Sequence, residues 1–359
     1  MQLILEKRQE RSALMALLSP FIALALTVIA GGIIFSMRGL DPFEALFVYF
    51  VEPLTQDWAR EQLIVKATPL VLIGAGLAIA YTANVWNIGA EGQFVVGALL
   101  AGAVPVFFPS WQTPEVMVVM LAMGILGGML WAAIPAWLRV KYHANEILTS
   151  LMLVYAAQYL FDYLVRGPWR DPQGFNFPKT VNFDGWQLLP KWGEIHMGAL
   201  FAVIAAVALA IMLSRMLKGF ELKLLGSAPR AGRFAGFSSE HSIIFCFLLS
   251  GGLAGLAGAC DVMGVSGQLQ TPYQPNYGFV AIIVAFLGRL NPLGAIIAGL
   301  LLALSFIGGE SAQVVLGMSD KIAKVFQGIL LFLILACDTL ILYRIKFAAA
   351  PGTSAAAAG

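Results

Sequence analysis

The chain has 359 residues, of which 59% are hydrophobic and 12% charged, with a mean hydropathy of +0.82. A soluble domain carries about 25% charged residues, so this composition excludes an ordinary water-soluble protein and predicts an all-α, polytopic membrane protein solvated by lipid. The formal net charge of +2 gives no footprint for nucleic acid. Cys246, Cys260 and Cys337 stand alone in apolar runs, without a CxxC pair, which argues against a zinc site or a disulfide framework. His143, His196 and His241 are scattered, so no metal site is expected. No G-x-x-x-x-G-K-[ST] motif occurs, and no His, Asp or nucleophile cluster suits an enzyme. No cofactor is expected, and any ATP that drives this chain must be bound by another subunit.

In chain order, a short N-terminal segment, 1–12, carries Lys7, Arg8 and Arg11 and is expected in the cytoplasm. The apolar run 13–37 is longer than the roughly 7–15-residue core of a secretory signal and reads as a retained anchor helix. An acidic stretch follows, in which 43–50 suits an interfacial helix. Further spans are expected at 63–81, 93–108, 116–138, 146–165, 196–213, 242–262, 278–287, 293–307 and 322–342, ten crossings in all. Together they make a transmembrane domain over 13–346, with a low-complexity tail at 347–359. With the N-terminus inside, the inner segments hold thirteen of the 22 basic residues, the most basic being the loop 215–240. The C-terminus then also lies inside. The aromatic loop 166–194 lies outside.

The connection between the second and third spans is unusual. Asn84, Asn87, Glu91 and Gln93, with Gly89 and Gly92, stand where a plain spanning protein would have a greasy helix or a basic loop. A carboxylate at membrane depth costs roughly 3 kcal/mol on insertion scales, and a broken helix there usually lines a polar cavity. An ordinary turn, with Asn84 or Asn87 capping the next helix, accounts for the residues equally well. Asn145 and Glu146 open the fifth span as a cap and a first-turn carboxylate, with a second reading in a solute path. The stretches 84–97 and 288–299 each join an Asn-containing break to a Gly/Ala-rich span, a weak sign of an inverted repeat with broken or short helices lining the path. Gly251, Gly255 and Ala259, and likewise Gly124 and Gly128, fall at close-packing spacing.

The loop 215–240 contains Ala228, Pro229, Arg230, Ala231, Arg233, Phe234, Gly236 and Phe237. A short helix from Pro229 would set Arg230 and Arg233 on one side and Phe234 and Phe237 on another, a knob suited to docking into a partner's groove. A solvated basic loop is the simpler alternative.

Asn87-Ile88-Gly89-Ala90-Glu91-Gly92-Gln93, followed by Gly97-Ala98, resembles the permease subunits of ATP-binding-cassette importers for simple sugars, nucleosides and branched-chain amino acids. Three further stretches agree: Asn145 to Leu153 running on to Tyr163–Pro168, Tyr277-Gly278-Phe279 with Gly288–Gly294, and the loop around Gly226–Gly236, which is similar to the family's ATPase-coupling segment. The likeness is nearest to the nucleoside branch. It implies separate ATPase subunits, a second permease chain, an external periplasmic or lipoprotein solute-binding protein, a small polar solute and a place in the bacterial inner membrane. It also implies a path role for Asn84, Asn87, Glu91, Gln93, Asn145 and Glu146, and an ATPase-coupling role for Ala228–Phe237. Trp86, Tyr155, Phe279, Asn87 and Gln158 are the aromatic and amide groups available to a nucleoside. Simple-sugar or flavin-like vitamin import, and an ion-coupled transporter centred on Glu91, are the alternatives.

Overall fold

The computed structural model describes residues 2–7, 13–37, 39–317, 319, 325, 328, 329, 332, 333, 336, 337 and 343–348. Most of the expected tenth span, 322–342, and the tail beyond 348 lie outside the described residues.

Helices dominate. They are α1 (Ala13–Met37), α2 (Pro42–Phe50), α3 (Glu52–Thr55), α4 (Asp57–Thr82), α5 (Ala90–Phe107), α6 (Pro114–Tyr142), α7 (Glu146–Arg166), α8 (Gly198–Arg215), α9 (Leu217–Ser227), α10 (Pro229–Phe234), α11 (Ser239–Asp261), α12 (Tyr277–Leu287) and α13 (Pro292–Leu316). A π-helical turn, Val262–Ser266, prolongs α11. Among the described residues seven helices are long and apolar enough to cross a membrane: α4, α5, α6, α7, α8, α11 with its π turn, and α13. The expected count of ten crossings is therefore not reproduced among the described residues. The expected eighth crossing, α12, has 11 residues and is about 16 Å long, half a hydrocarbon core.

Local chemistry explains the helix ends. Proline opens α2, α6, α10 and α13, where its missing N–H costs nothing. Asp41 caps α2, Asn145 caps α7 and Ser238 caps α11 through their side-chain oxygens. His143 stops α6 in a left-handed conformation, with Arg139 and Lys141 in the last turn, where cations favour the helix dipole. His196, expected inside a span, instead belongs to a two-residue ladder, β2 (Lys191–Trp192) against β3 (Ile195–His196), that precedes α8.

The chain divides into two compact units, one of 1–52 with 308–359 and one of 53–307. In the first, β1 (Gln2–Lys7) pairs antiparallel with β4 (Tyr343–Ala348), so the two ends of the described chain lie side by side. Phe35, Ala45, Tyr49 and Ala312 form its buried cluster.

In the second unit α5, α6 and α11 meet backbone to backbone. A Cβ on Gly128 would lie 2.0 Å from the Gly251 carbonyl oxygen, and one on Gly97 would lie 2.3 Å from Gly255 Cα. Lipid supplies no hydrophobic drive between helices, so small residues secure this junction by letting the chains approach closely. The expected Gly251/Gly255/Ala259 and Gly124/Gly128 faces form this contact.

Candidate functional site

One end of the second unit gathers Arg139, the start of α7 and the segment 233–243 around a groove of about 940 Å³, and is called the basic end here. The chain leaves α4 near that end and does not go straight into α5. It climbs back along the bundle through 83–89. Asn84 takes a left-handed conformation, and Val85 N–H reaches the Ala80 carbonyl. Two contacts set the height of this climb. Asn87 hydrogen-bonds Ser250, eleven residues into α11, and Gly92 lies against the Val154 backbone, eight residues into α7. At 1.5 Å per residue, α5 therefore starts about 12–16 Å above the basic end, well inside a roughly 30 Å core.

Polar groups at that depth need partners, and they have them. Asn87 and Gln93 exchange a reciprocal amide pair, with Asn87 Nδ2 donating to Gln93 Oε1 at 2.8 Å and Gln93 Nε2 donating to Asn87 Oδ1 at 2.9 Å. Asn87 Nδ2 also donates to Ser250 Oγ at 2.9 Å, and Asn87 Oδ1 accepts from Gly89 N–H at 3.1 Å. Ser150 Oγ accepts from Ile88 N–H at 3.3 Å.

Glu91 is fully buried. Its carboxylate accepts the Asn276 N–H at 2.9 Å and the Gly278 N–H at 2.6 Å, which makes it the cap of α12. Asn276 itself sits in the N-cap position, is left-handed and makes no side-chain cap. A carboxylate on first-turn N–H groups gains both the bonds and the helix dipole. The approach requires glycine at 278, where a Cβ would lie 2.2 Å from Glu91 N.

The second half of the fold answers this break. After the π turn, residues 267–276 form no helix. Leu269 packs on Gly102 of α5, while Asn276 reaches Glu91 eleven residues earlier on the same helix. The irregular segment thus descends about 16 Å alongside α5, and α12 completes the crossing towards the basic end. There Phe286 stacks on Tyr81 at 5.2 Å and on Trp86 at 6.0 Å. The segment is pinned on one side. Tyr273 OH donates to Asp261 Oδ2 at 2.7 Å, and its ring stacks on Phe161 at 4.9 Å. Thr271 bonds both Asp162 and Arg166 of α7. The turn 288–291, singled out in sequence, joins α12 to α13, and the irregular segment that meets the first break is 267–276.

The comparisons with known proteins bear on what such a bundle is. Residues 59–335 match the family described as branched-chain amino acid transport system / permease component. The chain belongs to that permease family. The glucose ABC transporter permease protein TsgB13 of Haloferax volcanii is 34% identical over 360 residues, covering 97% of this chain and 94% of that one. The guanosine ABC transporter permease protein NupP of Bacillus subtilis is 26% identical, covering 92% of this chain and 95% of that one. The probable riboflavin import permease protein RfuC of Treponema pallidum is 26% identical, covering 70% and 67%. Sugar, nucleoside and riboflavin permeases thus surround it, and the chain is a transport component rather than an enzyme.

In this permease Asn87 and Gln93 are buried together against Ser250, Glu91 is buried on the start of α12 instead, and Asn84 is exposed nearer the basic end and accepts from Trp86 Nε1 at 2.9 Å. Asn145 and Glu146 do not join them. Asn145 caps α7, Glu146 ion-pairs with Arg139, and both line the basic-end groove together with Arg233, Gly236 and Phe237. The coupling segment does start a helix at Pro229, but α10 ends at Phe234. Phe234 is 96% exposed, whereas Phe237, beyond the left-handed Gly236, packs on Phe220 at 6.3 Å, so the two Phe do not share a helix face. Arg230 and Arg233 are both exposed. Gly226, at the end of α9, lies directly on α4: a Cβ there would sit 2.1 Å from the Thr82 carbonyl oxygen. The knob is therefore joined through α9 to the end of the helix that precedes the break.

Sequence reasoning missed Ser150, Ser250, Asn276, Asp261 and Tyr273. Each is a single polar residue in an apolar or loop setting, without a spacing that marks it.

Proposed function

We propose that the chain is one membrane subunit of an ATP-driven importer that carries a nucleoside through the bacterial inner membrane. Two separate ATPase subunits supply the power, a second permease chain completes the path, and an external solute-binding protein delivers the solute. The observation that carries this reading is the similarity of the whole chain, end to end, to ABC permeases named for glucose and guanosine. The match to RfuC widens the class to ribose-like and ribityl-bearing solutes. A simple sugar is the second reading, favoured by the higher identity to TsgB13.

The basic end faces the cytoplasm on the positive-inside rule, and the pairing of β1 with β4 supports both termini lying on one side. Ala228, Pro229, Arg230, Ala231, Arg233, Phe234, Gly236 and Phe237 dock on the ATPase, with Phe234 as the exposed apolar anchor. Closure of the ATPases moves α10, and the Gly226–Thr82 contact passes that motion to α4 and the break. Glu91 holds the two broken crossings of the path together, and the Asn87–Gln93 pair fixes the first break on Ser250 of α11. Asn84 lies at its inner mouth, and Asn145 and Glu146 shape the groove beside the docking segment.

Purification from the native membrane, with co-purifying subunits identified and bound small molecules extracted, tests the reading. An ATPase, a binding protein and a nucleoside or sugar are expected. Concentrative uptake by the lone chain in liposomes, driven by an ion gradient, would overturn it.

A further inference from the structure

The irregular segment has two faces, and its sequence alternates strictly. Leu269 and Thr271 are buried, and Tyr273 packs inward against Phe94, Phe161 and Asp261. The even-numbered side chains between them are amides apart from Pro272: Gln268, Gln270, Gln274 and Asn276. Gln270, Gln274 and Asn276 are exposed. The segment lies alongside α5 from the level of Gly102 down to that of Glu91. Its upper part, 267–271, pairs with the loop before α8 at the end away from the basic end, Thr180 N–H on the Leu269 carbonyl and Thr271 N–H on the Pro178 carbonyl. Gln274 and Asn276 are exposed deeper, within the span of α5. Irregular backbone is tolerated at that depth only where it is buried in protein or lines a water-filled cavity. Exposed amides there exclude lipid as their neighbour.

Two further observations point the same way. Gln268 donates to Gln270 Oε1 at 3.0 Å, while its own Oε1 is buried without a partner, an acceptor left open. On α7, Thr271 and Tyr273 hold Asp162 and Phe161 against the segment. One turn and two turns earlier, the same stripe carries Gln158 and the half-exposed Tyr155. Exposed large residues on α8 are aliphatic instead, among them Val203, Ile204, Val207 and Ile211.

We propose that Gln268, Gln270, Gln274 and Asn276, with Tyr155 and Gln158 of α7, form the amide-rich wall along which the solute crosses the outer half of the membrane. Amides both donate and accept, and a phenol ring offers a flat face, so the wall suits a polyhydroxylated, sugar-bearing solute. The inference rests on the import reading above, which places this half outside.

The test uses the full chain in its native membrane with its partners. Gln274→Cys, and separately Val203→Cys as a lipid-facing control, are exposed to a membrane-impermeant, water-soluble thiol reagent from outside. The parent chain corrects for its own cysteines, and gel filtration checks folding. Gln274→Cys is expected to react at least tenfold faster than Val203→Cys, and to be slowed by millimolar adenosine or glucose. Gln270→Leu with Gln274→Leu should raise the KM for radiolabelled adenosine or glucose uptake by about tenfold. A Gln274→Cys as inert as the control overturns the wall. Labelling without protection, with an unchanged KM, overturns solute recognition by it. Uptake that ignores ATP while Gln274→Cys still labels would sink the import reading and leave the wall standing.

Discussion

Replacing Glu91 by Gln is the sharpest probe of how the two broken crossings are joined. The carboxylate accepts two backbone N–H groups, at 2.9 and 2.6 Å, from the start of α12. Hydrogen bonds to an ionised acceptor contribute about 1.5–3 kcal/mol each, and a buried donor left unpaired costs about 1–3 kcal/mol. A glutamine keeps one acceptor oxygen and turns an NH2 towards the other N–H, so one bond is lost and one donor is orphaned. Removing the charge also removes part of the cost of burying it, which leaves a net loss of ~2–4 kcal/mol. At roughly 2 °C per kcal/mol for a chain of this size, the detergent-solubilised protein should melt about 4–8 °C lower. Because α12 also carries Phe286 against Tyr81 and Trp86, uptake should fall with it. A Glu91→Gln protein that melts within about 1 °C of the parent and transports normally would refute the capping argument.

Other outcomes follow from the same geometry. Gly128→Leu should prevent accumulation of folded protein in the membrane, because even a Cβ would lie 2.0 Å from the Gly251 oxygen and the overlap falls on backbone; membrane-fraction yield reads this directly. Arg230→Glu combined with Arg233→Glu should abolish uptake while leaving insertion and melting unchanged within about 1 kcal/mol, since both side chains are exposed; normal uptake would remove the docking role. His196 is buried between Gly198 and Gly264, with its Nδ1 accepting the Gly198 N–H, and burial, with Lys191 nearby, holds its imidazole down at about 4. The ordinary value is about 6.5, so the unfolded chain takes up a proton that the folded one refuses. Stability should be full above about pH 6.5 and fall by up to ~3 kcal/mol as pH drops towards 4. Melting at pH 7.5 and pH 5 should differ in the parent and differ less in His196→Gln.

Much of the bundle was legible in the chain itself. Apolar length placed most of the spans, although α4 starts six residues before and α13 ends nine residues after the expected bounds. Proline and Asn or Ser set helix starts, and the small-residue faces of α6 and α11 were readable because close approach leaves a spacing in one dimension. The run at 84–93 announced itself by polar groups where lipid tolerates none. The sequence could not choose between a surface turn and a break at depth, because that depends on which residue of another helix stands beside Asn87. Ser250, 163 residues away, makes the choice. The tertiary structure alone shows that Glu91 caps a helix 185 residues further on, that Asn145 and Glu146 stand apart at the basic end, and that the loop after α11 turns back into the bundle as half a crossing. Hydrophobicity reports how much chain lipid will accept, whereas the partners of the polar remainder depend on contacts between distant segments, which exist only once the helices have packed.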